Sequence, residues 1–344
     1  MSSSNSRVVV YGYASSPFFQ KIGALLNHYG VDWTLVEVPP VMPRPMLSKL
    51  LGITYRRIPV VFVDGHAYVD TSAAAIALDR AFGSSNNKSL FDTMASLQLQ
   101  LAVNWAESPI FRLSAGHLFK APLNDTFIKD RKSFMPGASF EPAKMEANIP
   151  FVRSQLVTHL EAVESHLSSS KFLLGDRPQY LDFALFTPLN WVQTQLKTGD
   201  DLLPPVSSKD GDKDWSSFRF PKTLTWLAAV RKHIAANKAK STKSSPEDAA
   251  KLIVSQSATS SSSVQSKIDP KDPLVKGGWI NGQSGQTVAV TPTDTGRVPQ
   301  VGNLFALDNT SVTIKVKTAL DGKDILATFP RLNFDIRAVD SAKL

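Results

Sequence analysis

Two adjacent hydroxyls, Ser15 and Ser16, stand directly before Pro17 in the run YASSPFF, where an apolar strand gives way to an amphipathic segment. A hydroxyl at a helix N-terminus lies beside free backbone N–H groups and the positive end of the helix dipole, where an anion is stabilised. A thiolate held there ionises more readily, and the hydroxyl need only donate a hydrogen bond to its sulfur. Taken alone, Ser-Ser-Pro is more often plain helix capping. Two more places carry the same double reading. Ile58-Pro59 precedes the apolar run VVFV. A cis bond there presents the Ile58 backbone to a bound peptide, whereas a trans proline simply opens an edge strand. Asp70-Thr71 begins a helix, where a carboxylate and a hydroxyl beside free N–H groups either cap it or bind charged ligand groups.

The elements that must position these residues follow from pattern. Residues 8–13 are apolar and β-branched, as in a strand covered on both faces. Ile22, Leu25, Leu26 and Tyr29 fall at helical spacing, and Gly30 is placed to end that helix. Trp33 to Val38 reads as a second strand, and Met46 to Leu51 as a short helix after a proline-rich loop. Asp64-Gly65 between Val60–Val63 and Ala67–Val69 predicts a tight hairpin, followed by a helix over 73–82. The order is β-α-β then β-β-α. From Lys88 to about Lys240 the pattern is helical: Leu90 to Trp105, Ala143 to Leu167, Tyr180 to Thr194 and Trp226 to Ala239. Tyr180 to Thr194 is apolar nearly all round, so it should lie inside a bundle. The segment FIKDRKSFMPG (127–137) reads as a charged, aromatic loop that borders a substrate pocket or, on the reading favoured, packs the C-terminal region. Residues 241–273 read as a linker holding one short helix (246–254) and the low-complexity run Ser257 to Ser263. Residues 274–340 alternate short strands with turns such as Asn281-Gly282 and Asp308-Asn309, which predicts a small barrel or sandwich.

Composition narrows the chemistry. The 344 residues suffice for two or three domains, and 42% hydrophobic with 20% charged is ordinary for a globular protein. With no cysteine, disulfides, thiolate metal sites and cysteine nucleophiles are excluded. The net charge of +8 is spread evenly along the chain rather than gathered into a stripe, which argues against nucleic acid as a partner. Of the six histidines only His159 and His166 share a helix, without a carboxylate-rich partner, so no metal is expected. The start MSSSNSR does not resemble a secretory leader, and the apolar runs are short of a membrane span, so a soluble cytoplasmic protein is expected, with no membrane as a partner. The terminal Ala342-Lys343-Leu344 is close to the Ser-Lys-Leu peroxisomal signal, which makes the peroxisome the alternative compartment.

In their order and spacing the three hydroxyl, proline and carboxylate features resemble the glutathione site of the glutathione S-transferase family. Ser15 or Ser16 matches the family's catalytic serine or cysteine, Ile58-Pro59 the residue before its cis proline, and Asp70-Thr71 its Glu/Gln-Ser pair. Leu78 and Phe82 fall where that helix carries its apolar pair, and GDRPQYLDFALFTPLNWV is similar to the family's buried helix with its capping aspartate at Asp182. The resemblance covers roughly residues 8–240. It implies an α/β thioredoxin-like domain (7–83) and an all-α domain (88–240); beyond it the pattern itself gives a linker (241–273) and an appended small all-β domain (274–340), foreign to ordinary members of the family and similar to a C-terminal region of some fungal ones. It also implies glutathione as co-substrate and an apolar electrophile as the second substrate, with conjugation or isomerisation as the reaction and a homodimer as a possible assembly. Ile58, Pro59, Asp70 and Thr71 would hold the tripeptide, with Lys49, Arg56 and Arg57 as candidates for its glycine carboxylate. The pattern departs from the family in the shorter Asp70, in Gln179 where Ser or Thr pairs with the capping aspartate, and in the missing cysteine, which excludes thiol-disulfide exchange. A non-catalytic binding or regulatory module, or a glutathione-independent enzyme of specialised metabolism, are the alternatives.

Overall fold

The run VVVYG forms β1 (Val8–Gly12), and all five residues are buried because both faces of the strand are covered. The computed structural model describes residues 7–84, 88–91, 94–120, 123–196, 201–206, 213–260, 265–320 and 322–339. The Ala342-Lys343-Leu344 terminus lies outside the described residues. Helix α1 (Pro17–Tyr29) starts on Ser16 with Pro17 in its first turn and stops at Gly30, whose φ of 69° suits glycine. Strand β2 (Trp33–Glu37) runs parallel to β1, and α2 (Pro45–Leu51) follows. Strands β3 (Val60–Val63) and β4 (His66–Val69) form the expected hairpin, with φ of 49° and 76° at Asp64 and Gly65 as a primed turn requires. Asp70 then caps α3 (Thr71–Phe82).

The helical region differs from its predicted pieces in instructive ways. Helix α4 (Ala95–Leu101) starts later than Leu90 and continues through a π-helical stretch, Ala102–Ile110, into α5 (Phe111–Ala115). Pro109 inside that stretch has no N–H to give, so the ladder cannot stay regular there. Residues 127–134 are helical, and only 135–137 form a turn. Asn124 accepts from Phe127 N at 2.8 Å and starts α6 (Asp125–Phe134). The expected helix over 143–167 is two, α7 (Pro142–Ala147) and α8 (Ile149–His166), because Pro150 favours a fresh helix start. Helix α9 (Tyr180–Trp191) has all but Asn190 buried, as its all-round apolarity predicts. Asp182 accepts from Gln179 N at 2.9 Å, Leu173 N at 2.9 Å and Trp226 Nε1 at 2.8 Å. The Gln179 side chain accepts from Gln98 Nε2 at 2.6 Å. Helix α10 (Pro221–Ala236) closes the bundle.

The segment that follows joins both edges of the first sheet. Strand β5 (Ser241–Lys243) pairs parallel with β2, and α11 (Pro246–Ser260) packs on the sheet's second face. After the short α12 (Pro273–Lys276) come β6 (Thr287–Pro292), β7 (Gln300–Leu307), β8 (Ser311–Lys317), β9 (Asp324–Pro330) and β10 (Phe334–Ala338). These strands lie where turn signals placed them. They do not close on themselves as a barrel or sandwich: β9 pairs parallel with β4, Ala67 opposite Ala327 and Tyr68 opposite Thr328. Among the described residues one ten-stranded sheet results, in the order β10-β6-β7-β8-β9-β4-β3-β1-β2-β5. Its two faces carry separate cores. Val8, Val10, Val61 and Val63 meet α1, α3 and the bundle, while Val9, Tyr11, Val60 and Phe62 belong to a core with α2, α11 and Val290, Ile314 and Phe329. Among the described residues no helix is long and apolar enough to cross a membrane.

His66 sits in the seam between the two halves of the sheet. Its Nε2 is 2.8 Å from Thr328 Oγ1, which in turn lies 2.7 Å from Thr313 Oγ1. Burial pushes the imidazole down from 6.5 to about 3. As pH falls below 6.5 the unfolded chain therefore takes up a proton that the folded chain does not, and the fold loses stability. Between pH 7 and pH 5 the loss from this residue is about 2 kcal/mol. His66→Asn should remove that part of the pH dependence in urea unfolding. A variant with the full wild-type slope would show that His66 titrates freely when folded.

Candidate active site

Strand register brings three turns to one end of the sheet. Tyr11 of β1 pairs with Val60 of β3, and Val60 pairs with Val69 of β4. The chain leaves β1 towards Ser16, enters β3 from Pro59 and leaves β4 into Asp70, so all three sites lie along the same edge. Ser16 is buried at the N-terminus of α1, and its Oγ accepts from Phe19 N at 3.3 Å. That bond leaves the Ser16 O–H to donate. Ser15 is exposed in the preceding turn, so the structure places only Ser16 at the helix N-terminus. The Ile58-Pro59 bond is cis.

Asp70 holds the start of α3 with φ of 78°, its Oδ1 accepting from Ser72 N at 3.1 Å and Ser72 Oγ at 2.9 Å. Tyr55 donates to its Oδ2 at 3.4 Å, and Arg57 Nη1 lies 3.7 Å from the same oxygen. Arg57 also donates through Nε and Nη2 to Thr295 O, at 3.1 and 2.7 Å, and pairs with Asp294. Arg56 is turned elsewhere, to Asp130 O at 2.8 Å, Asp130 Oδ1 at 3.1 Å and Ser133 Oγ at 2.8 Å. Lys49 stays exposed on the last turn of α2, outside this set. Both arginines thus face the chain's own carboxylates.

Below this edge lies a buried cluster that sequence reasoning missed. Lys21 Nζ pairs with Glu107 Oε1 at 2.5 Å and donates to Tyr180 Oη at 3.1 Å. Tyr180 donates to Glu107 Oε1 at 3.4 Å, and Thr71 Oγ1 reaches Glu107 Oε2 at 3.5 Å. Burial pushes the Glu107 carboxyl up, opposed by Lys21. The cluster joins α1 and α3 to the π-helical stretch and α9. The signal was available: Lys21 and Glu107 each stand in an apolar run, PFFQKIGALL and AVNWAESPI, and buried charges must pair. A second unforeseen feature is aromatic. The Phe18 ring lies 4.7 Å from Phe111, which stacks on Trp191 at 5.7 Å, so an apolar wall begins two residues beyond Ser16.

Residues 10–86 match the N-terminal domain of glutathione S-transferases, and residues 141–229 match their C-terminal domain. The chain is a glutathione S-transferase family protein. Its fold is similar to that of a GST-like protein from Pseudomonas syringae, with TM-score 0.66, 22% identity, and coverage of 97% of this chain and 100% of that one. The likeness of fold therefore takes in the strand-rich C-terminal region. Prostaglandin E synthase 2 of Danio rerio is 28% identical over 89 residues, which is 26% of this chain and 22% of that protein. This chain spans under a quarter of that relative's length.

The buried ion pair makes a double-mutant test. Glu107→Gln leaves Lys21 charged and unpaired, and Lys21→Met leaves Glu107 so; each should cost about 3–5 kcal/mol in urea unfolding. The double variant should recover most of that loss. Strictly additive losses would show that the two side chains do not depend on each other.

Proposed function

We propose that the protein is a glutathione-dependent transferase in which Ser16 stabilises the tripeptide's thiolate. The observation that carries this reading is the register of Tyr11, Val60 and Val69, which sets Ser16, Ile58-Pro59 and Asp70-Thr71 at one end of one sheet. The tripeptide would lie along that edge, its backbone beside Ile58 and its γ-glutamyl end at the start of α3. There the N–H groups and the Thr71 hydroxyl suit its carboxylate, and Asp70 suits its ammonium group. The Ser16 O–H and the N-terminus of α1 favour the thiolate over the thiol. The thiolate attacks an apolar electrophile lying against Phe18 and Phe111. A carbon–sulfur bond forms and the leaving group departs with the electron pair of its broken bond. Isomerisation would use the same thiolate and return it.

A second reading, a binding module without turnover, is favoured by the pairing of Arg57 with Asp70 and Asp294 and of Arg56 with Asp130. Ser16→Ala separates the two. For the enzyme, turnover of an aromatic electrophile should fall by about tenfold to a hundredfold, the worth of a hydrogen bond to a charged group. The pH at which bound glutathione ionises should rise with it. Circular dichroism controls for loss of the cap. Unchanged turnover and unchanged ionisation in a folded variant would remove Ser16 from the mechanism.

A further inference from the structure

The strand-rich region does more than lengthen the sheet, because the loop between β6 and β7 reaches the site edge. It is anchored at Gly296 and at Pro299-Gln300. Gln300 Oε1 accepts from Thr54 N at 2.7 Å, Gln300 Nε2 donates to Gly52 O at 3.0 Å, and Thr54 Oγ1 donates to Pro299 O at 2.9 Å. Gly296, at φ of 59°, donates to Phe134 O at 3.0 Å, and a Cβ there would stand 2.5 Å from the Phe134 ring, so only glycine fits. Immediately before these anchors, Asp294 and the Thr295 carbonyl take the donors of Arg57 that Asp70 does not face. The three side chains are unequally covered: Arg57 is 19% exposed, Asp70 21% and Asp294 49%. Asp294 is therefore the outer carboxylate, the one that an anion arriving from solvent would meet and replace. A guanidinium pairs with a ligand carboxylate as readily as with an internal one, so the two compete.

We propose that Asp294 is an internal stand-in for a ligand carboxylate on Arg57, so that the C-terminal strand region determines how tightly the site takes an anionic peptide. The inference rests on the reading of the edge as a tripeptide site. It assigns the extension a part in specificity: one chain supplies the two family domains and also the acid that tempers their affinity for anions. Releasing Arg57 should strengthen binding, and the gain should require Arg57.

Isothermal titration of glutathione into the full chain tests this with wild type, Asp294→Asn, Arg57→Gln and the double variant, and with Asp294→Ser should the asparagine variant fail to fold. Asp294→Asn is expected to bind about tenfold tighter than wild type, the scale of one charge-assisted hydrogen bond. The double variant should lose that gain. Wild-type affinity or weaker in Asp294→Asn, or a gain that survives in the double variant, overturns the inference and leaves the tripeptide reading standing if wild type binds. No binding by any of the chains overturns both.

Discussion

Strand β4 is the hinge of the architecture. It has two edges, and the structure depends on both being used: β3 takes one by the Asp64-Gly65 hairpin, and β9 takes the other in parallel. An unpaired edge would leave a row of N–H and C=O groups open to pairing with other chains. Here the chain covers it with its own distant residues, 260 positions along the chain, since Ala67 meets Ala327 and Tyr68 meets Thr328. The neutral His66 and its threonine partners close the seam without burying a charge. Once β9 is docked, β8, β7, β6 and β10 follow by antiparallel pairing.

The same sheet separates two tasks. One face is packed by α1, α3 and the bundle, and it carries the Lys21–Glu107 pair that ties the family's two domains together at the base of Thr71. The other face is packed by α2, α11 and the added strands. The candidate site lies at the end of the sheet where these layers meet, and so takes residues from each: Ser16 and Asp70 from the α/β domain, Phe111 from the bundle, Asp294 from the strand region. A site assembled at such a junction depends on the fixed register of β1, β3 and β4 rather than on any single loop.

What sequence revealed followed the range of the interactions. Ser16 as cap, Gly30 as helix stop, the Asp64-Gly65 hairpin and the burial of α9 are set within a few residues, and each was legible from pattern. The strands of the C-terminal region were legible for the same reason, but their docking on β4 was not, because no local pattern states which edge a strand will choose. The break at Pro150 was written in the sequence, yet apolar periodicity runs straight across it, and the cap at Asn124 was outweighed by the charged and aromatic residues that make 127–137 resemble a loop. The fates of Arg56 and Arg57 depend on Asp130 and Asp294, far along the chain. Only the resemblance to a family gave those arginines a role, and the role it gave assumed partners from a ligand rather than from the protein.

The most direct test of the central claim is a crystal structure of the protein soaked with glutathione. The expected density places the sulfur within hydrogen-bond reach of Ser16 Oγ, the peptide backbone against Ile58 and the γ-glutamyl group at Asp70-Thr71. Tripeptide bound elsewhere, or a fully occupied site with its sulfur turned away from Ser16, would contradict it.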